Sequence, residues 1–285
     1  FRRVLFRSVT LVTAAYGRAL ASSGSALDYV ATVTEAMKHL DPQKHVGLLA
    51  VLSAVRCHAR WLAGDLAAAL SDNDFALAHA DKVEAIDQQT LGFSVGIWIK
   101  GLRSKVLAMM GRFDEAGVIA HELIDADEGA VDALHRLLVH GTMVDIAWGH
   151  SDPVLAEKHG AIAQAIAEKS GNPYLLVYGR AFYALAQAMN GRHSEATTLL
   201  SDSLRFARLR NAGLENEPRM LADLAWIQMQ AGLPDRAEAT AEEAAQAARR
   251  RGAKIWLAYA EGITGGPESA VFKRLIDETG ARLLA

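Results

Sequence analysis

The sequence predicts an all-α chain, a right-handed superhelix of antiparallel helix pairs. Three observations point there. Alanine is the commonest residue and only six prolines occur in 285 residues, which favours helix. No alternating apolar pattern is long enough to argue for a strand. A turn signature also recurs with a period near forty residues, the length of two helices and two short connections.

The signature is a Gly or Ser followed five residues later by Ala. It occurs as Gly64/Ala69, Gly111/Ala116, Ser151/Ala156, Gly191/Ala196 and Gly232/Ala237, with spacings of 47, 40, 40 and 41 residues. Glycine permits the positive φ that ends a helix, and alanine leaves room for a partner helix. Seven residues before these turns stand Cys57, Ser104, Val144, Ala184 and Ala225. Twelve residues after them stand Ala76, Leu123, Ala163, Ser203 and Ala244. Small residues at fixed crossing points are what closely packed antiparallel helices require.

In chain order the expected pairs are 9–22 with 26–39, 45–63 with 66–81, and 86–110 with 113–125. Further pairs are 129–148 with 153–169, 173–190 with 193–210, and 216–231 with 234–251, then a shorter 253–262 with 267–279. Asp41-Pro42, Gly171-Asn172-Pro173, Asn211-Ala212-Gly213 and Gly265-Gly266-Pro267 punctuate them, and Pro267 fits the first turn of the last helix. No linker or low-complexity stretch divides the chain, so residues 9–285 are expected to form a single repeat domain. Residues 1–8, which read FRRVLFRS, resemble the translation of a sequencing-adaptor oligonucleotide. They are expected to be non-native and to lie outside the fold, with the native chain a fragment of a longer protein. Without their three arginines the formal charge moves from −3 to −6.

The phrase Gly111-Arg112-Phe113-Asp114-Glu115-Ala116, echoed from Gly191 to Ala196, resembles a tetratricopeptide repeat. The period exceeds that family's standard length, and its Trp and Tyr do not fall in place. The longer, degenerate form is similar to the C-terminal parts of large bacterial signalling ATPases. First among these are nucleotide (adenylate or guanylate) cyclases linked to an AAA-type ATPase. Regulators of the MalT/LuxR type come second. The ending from Phe272 to Arg282 is similar to endings in the cyclase group.

Composition removes several function classes. The near-neutral balance of 30 basic and 33 acidic residues gives no support to nucleic-acid binding. A lone cysteine, Cys57, excludes an internal disulfide framework and a cysteine-rich zinc site. No uninterrupted apolar run reaches about eighteen residues, so no membrane span and a cytoplasmic location are expected.

No motif carries chemistry convincingly. Gly96 to Gly101 has the first spacing of a phosphate-binding loop, but Leu102-Arg103 stands where Lys-Ser/Thr is required. That stretch and the glycines before Pro267 read as ordinary loops. His121-Glu122 lacks the second histidine of a zinc helix, and His135 and His140 diverge by roughly 140° around a helix. Cys57 has His58 beside it, but adjacent helical residues point about 100° apart. Asp72 and Asp74 read as solvated faces or caps, and Arg205, Arg208 and Arg210 as complements to a helix dipole. No cofactor, metal or catalytic residue is expected in this chain.

The repeat resemblance implies a concave face built from positions three, six, ten and thirteen residues before each turn. Transferred here, that register selects Trp61 and Trp148, then His58, Lys105, Asp145 and Trp226, and then Trp98 and Tyr178. Large amphipathic aromatics on a concave face are common recognition anchors. The competing reading buries these tryptophans between repeats. The expected function is a non-catalytic scaffold that binds a protein, a peptide or an effector and regulates a catalytic or DNA-binding domain elsewhere in the protein. The alternative is an effector sensor or repeat-fold enzyme with a pocket on the concave face.

Overall fold

The computed structural model describes residues 8, 10–14, 16–17, 19, 25–126 and 131–284. Among these no strand occurs, and successive helices pack as antiparallel neighbours into an all-α solenoid. The described residues between 8 and 19 are helical. The rest of the expected 9–22 helix, and residues 1–8 apart from an exposed Ser8, lie outside the described residues. The regular elements are α1 (Ala26–Lys38), α2 (Val46–Ala63), α3 (Leu66–Ala78), α4 (Ala85–Leu91), α5 (Val95–Met109), α6 (Phe113–Ile124) and α7 (Ala133–Gly149). They continue as α8 (Pro153–Ser170), α9 (Pro173–Met189), α10 (His193–Arg210), α11 (Glu217–Gln230), α12 (Pro234–Arg251), α13 (Lys254–Gly265) and α14 (Ala270–Thr279).

One closure motif builds all five repeat turns. Gly64, Gly111, Gly191 and Gly232 take φ between 73° and 86°, and Ser151 takes the same left-handed region at 53°. The following amide then reaches back over the helix end: Asp65 to Arg60, Arg112 to Leu107, Asp152 to Ala147, Arg192 to Gln187, and Leu233 to Gln228, at 2.8–3.0 Å. This satisfies a terminal carbonyl and reverses the chain within two residues. The alanines five residues on, at 69, 116, 156, 196 and 237, are wholly buried, as are Cys57, Ser104, Val144, Ala184 and Ala225. Any larger side chain there would overpack the crossing.

Four expectations need correction. The helix over 86–110 is two helices, because Gly92 adopts φ 79° and Ser94 caps α5 through the Ile97 amide. Turn chemistry at three residues outweighs the apolar periodicity that runs across them. Gly96 to Gly101 therefore lie inside α5 rather than in a loop. The last helix begins at Ala270 behind the Ser269 cap, leaving Pro267 in the connection. Asp72 is no solvated residue: it is buried, bidentate to Arg56, and 2.9 Å from Arg60. Helix α2 is also long and apolar enough to cross a membrane by length and composition, yet two thirds of that stretch is buried inside the fold.

The solenoid closes on itself. Helix α13 packs against α2, and the 3-10 turn Arg282–Leu284 packs against α5 and α7. The turn glycines make this approach possible. A Cβ at Gly64 would stand 3.0 Å from Lys254 Cβ and 3.2 Å from Thr279 Cγ2, and one at Gly111 would stand 3.1 Å from Arg282 Cβ. Cys57, Leu66 and Ala69 of the second hairpin share one apolar cluster with Ile255, Leu275 and Leu283 of the last. The inner face is lined by the first helices α2, α5, α7, α9 and α11.

Candidate functional site

A chamber of about 670 Å³ occupies this interior. Its walls come from α2, α5, α7 and α9, and from the 3-10 turn Leu214–Asn216 with the start of α11. The lining is mainly apolar and aromatic, with a few convergent polar groups, the usual make-up of a small-ligand site. Gly101 opens directly onto it, since a Cβ there would meet nothing within 4 Å.

Of the groove residues chosen from the sequence, His58, Trp61, Trp98, Lys105 and Tyr178 line the chamber. His58 stacks on Trp61 with ring centroids 5.7 Å apart and meets Tyr29 and Trp98 edge-on. Burial among these rings lowers its pKa to about 4, so the ring is neutral at pH 7. Neither His58 Nδ1 nor Trp61 Nε1 has a hydrogen-bond partner.

Asp145 lies behind the wall, fully buried, and holds two cations that face inward. Lys105 Nζ donates to its carboxylate, and Arg219 Nη2 donates to it at 2.5 Å. Arg219 Nε also donates to Asp223 at 3.2 Å. Both cations lie over the Phe182 ring, at 5.4 Å for Lys105 and 5.2 Å for Arg219, and Arg219 also covers Trp256 at 5.1 Å. Burial opposes the charge on Asp145, but Arg219 and Lys105 hold its pKa below the ordinary value. Burial prevails at Asp223, raising its pKa to about 6, and at Lys105, lowering it to about 8. Two carboxylates thus offset two cations, and the cluster carries little net charge near neutrality.

Trp148 and Trp226 are not brought to the chamber. They meet each other with centroids 6.1 Å apart, and Trp148 lies 5.2 Å from Tyr259. All four groove tryptophans are partly exposed, whereas Trp256 is buried. The single tryptophan face is therefore two groups, one inside the chamber and one packed around Tyr259. Tyr259, on α13 of the hairpin that folds back, belongs to the apolar cluster that takes up Trp148 and Trp226 instead.

Several lining residues were not selected from the sequence. Arg219 was recoverable, because it stands thirteen residues before the Gly232 turn, the position that selected Trp98 and Tyr178. Phe182, Tyr174 and Glu215 had no such signal. Tyr178 donates to Glu215 Oε1 at 2.9 Å, and Tyr174 packs 4.9 Å from Tyr178. Among the described residues no three metal-binding side chains come together. The histidines at 140 and 159 form a buried pair, with Nδ1 atoms 2.8 Å apart.

No family model matches the chain, and no curated protein matches it in sequence. Among solved structures it is similar to a Rap protein crystallised in complex with competence and sporulation factor. The two share 13% sequence identity and a TM-score of 0.66 over 90% of this chain and 70% of that one. The shared property is the fold, a tetratricopeptide-like helical repeat.

Proposed function

We propose that this chain is a non-catalytic binding module that holds a peptide or a small effector in its central chamber. The observation that carries this reading is the chamber itself: about 670 Å³, largely apolar and aromatic, and lined by five inward-facing helices, α2, α5, α7, α9 and α11. A recess of this volume with a mainly apolar lining suits a peptide segment or a small ligand better than a flat protein surface. The Rap protein of similar fold was crystallised with a bound factor, which supports ligand binding by this architecture. Lys105, His58 and Arg219 converge on one space, which favours an effector sensor over a broad protein-docking face.

The wider setting extends that proposal. The module would regulate a catalytic or DNA-binding domain elsewhere in its protein, as in a cytoplasmic bacterial ATPase-linked nucleotide cyclase. Sequencing the uninterrupted gene tests this part; a gene without an ATPase, cyclase or DNA-binding module contradicts it. The binding part is tested by screening short peptides and amphipathic small molecules by thermal shift, with Gly101→Leu as control. Ligands that stabilise wild type and not the filled variant support the chamber. Equal stabilisation of both places binding elsewhere.

A further inference from the structure

Among the described residues, the charges around the chamber cancel one another except at two lining groups, the buried Glu215 and the exposed Arg210. Lys105 and Arg219 are matched by Asp145 and Asp223, as described above. Next along the chain, Glu217 is paired with Arg208 and Arg251. Glu215 has no such partner. It lines the chamber, is 6% exposed, accepts a hydrogen bond from Tyr178, has the Tyr174 hydroxyl beside the same carboxylate, and among the described residues forms no ion pair; its Oε2 is shielded and unbonded. The amide Nδ2 of the adjacent Asn216, equally buried, is also unbonded. An ionised carboxylate buried without a counter-charge is costly, and a ligand cation beside it would remove that cost. The surfaces beside it, Tyr174, Tyr178 and Phe182, are aromatic, and aromatic faces attract cations.

We propose that the chamber is a cation-selective site, in which Glu215 neutralises an ammonium or guanidinium group of the bound ligand. This inference rests on the chamber being the ligand site. Tyr174, which is half-buried, stands beside Glu215, so a cation reaching Oε2 would displace its hydroxyl. A carbonyl beside the cation, as at a peptide N-terminus, would satisfy Asn216 as well. The internal competitor is Arg210, an exposed chamber residue resting over Phe206 at 5.7 Å and making no ion pair.

The test uses the full chain and displacement of a neutral apolar dye, N-phenyl-1-naphthylamine, from the chamber. Three competitors of similar size differ in charge: phenethylamine, 2-phenylethanol and 3-phenylpropionate. A fourth and fifth, phenylalanyl-leucine amide and its N-acetyl form, ask whether the cation comes from a peptide terminus. The expected result is displacement by phenethylamine at least tenfold better than by 2-phenylethanol, with 3-phenylpropionate weakest. Glu215→Gln should abolish that preference and raise the melting temperature of the unliganded protein, because an uncompensated charge is gone. Tighter binding of the free dipeptide amide than of phenethylamine identifies a peptide source, and the reverse a small amine.

Equal displacement by the amine and the alcohol overturns the cation site while leaving the chamber as a binding site. Absence of dye binding to wild type overturns both. A lower melting temperature for Glu215→Gln, together with one for Arg210→Leu, means that Arg210 is the counter-ion, and also overturns the proposal.

Discussion

Arg219 donates to Asp145 across 74 residues of sequence and across the interior of the solenoid. Most contacts in a helical-repeat chain join neighbouring hairpins, but this one joins the first helices α7 and α11, with α9 between them. Lys105 on α5 reaches the same carboxylate. Three first helices are thereby fixed around one buried charge, which gives the chamber wall its spacing.

Removing Asp145 should therefore cost far more than a surface charge. Asp145→Ala leaves Lys105 without its carboxylate and Arg219 with Asp223 alone, and breaking such buried pairs costs about 3–5 kcal/mol. Urea unfolding measures it. A loss below about 1 kcal/mol would mean that water already solvates the cluster.

The repeat turns predict effects of opposite sign. Ser151 holds a left-handed conformation that costs an L-residue about 1–2 kcal/mol, so Ser151→Gly should stabilise by about 1 kcal/mol. Gly111→Val should destabilise, since φ there is 75° and the added side chain meets Arg282. Ala116→Leu should cost about 1–3 kcal/mol by overpacking a fully buried crossing. Differential scanning calorimetry of the three variants checks all of these signs.

Acid should weaken the fold through His58. Its pKa falls from 6.5 to about 4 on folding, so between those values the unfolded chain binds more protons. Its contribution is complete above about pH 6.5 and is lost as pH falls through the window. Asp223 acts in the opposite direction. Its pKa rises to about 6, so its stability is present at low pH and is lost as pH rises from 3.8 to 6. Comparing variants separates them: His58→Phe should reduce the loss between pH 7 and pH 5 by about 1–2 kcal/mol. Superimposable pH profiles for wild type and variant would contradict the assignment.

The closing contact should be separable from the repeats. Leu283 is 9% exposed in the cluster that joins the last hairpin to the second. Leu283→Asp places a charge there and should speed proteolysis of α13 and α14 while sparing α5 to α10. Uniform protection would show that closure does not depend on this turn.

The fold was legible because each repeat turn combines a local backbone requirement with a packing requirement, as Gly191 and Ala196 illustrate. The break at Gly92 was missed because Ile86, Phe93 and Ile97, spaced seven and four residues apart, continue an apolar helical pattern across it. Half of the site was legible through register alone: Trp98 and Tyr178 fall at one position, and Arg219 at the same position one hairpin later. Glu215 was not. It sits in a 3-10 turn outside the periodic helices, and its meaning comes from Tyr178 and from the absence of a paired cation, neither visible in sequence.

The most direct measurement is binding of N-phenyl-1-naphthylamine to wild type and to Gly101→Leu, followed by dye fluorescence. Gly101 lies inside a helix without positive φ, so leucine should fill the chamber without strain and improve helix propensity by about 0.5–1 kcal/mol. The account predicts saturable one-to-one binding to wild type, lost in a variant whose melting temperature is equal or higher. Unchanged dye binding by the stably folded Gly101→Leu protein would contradict it.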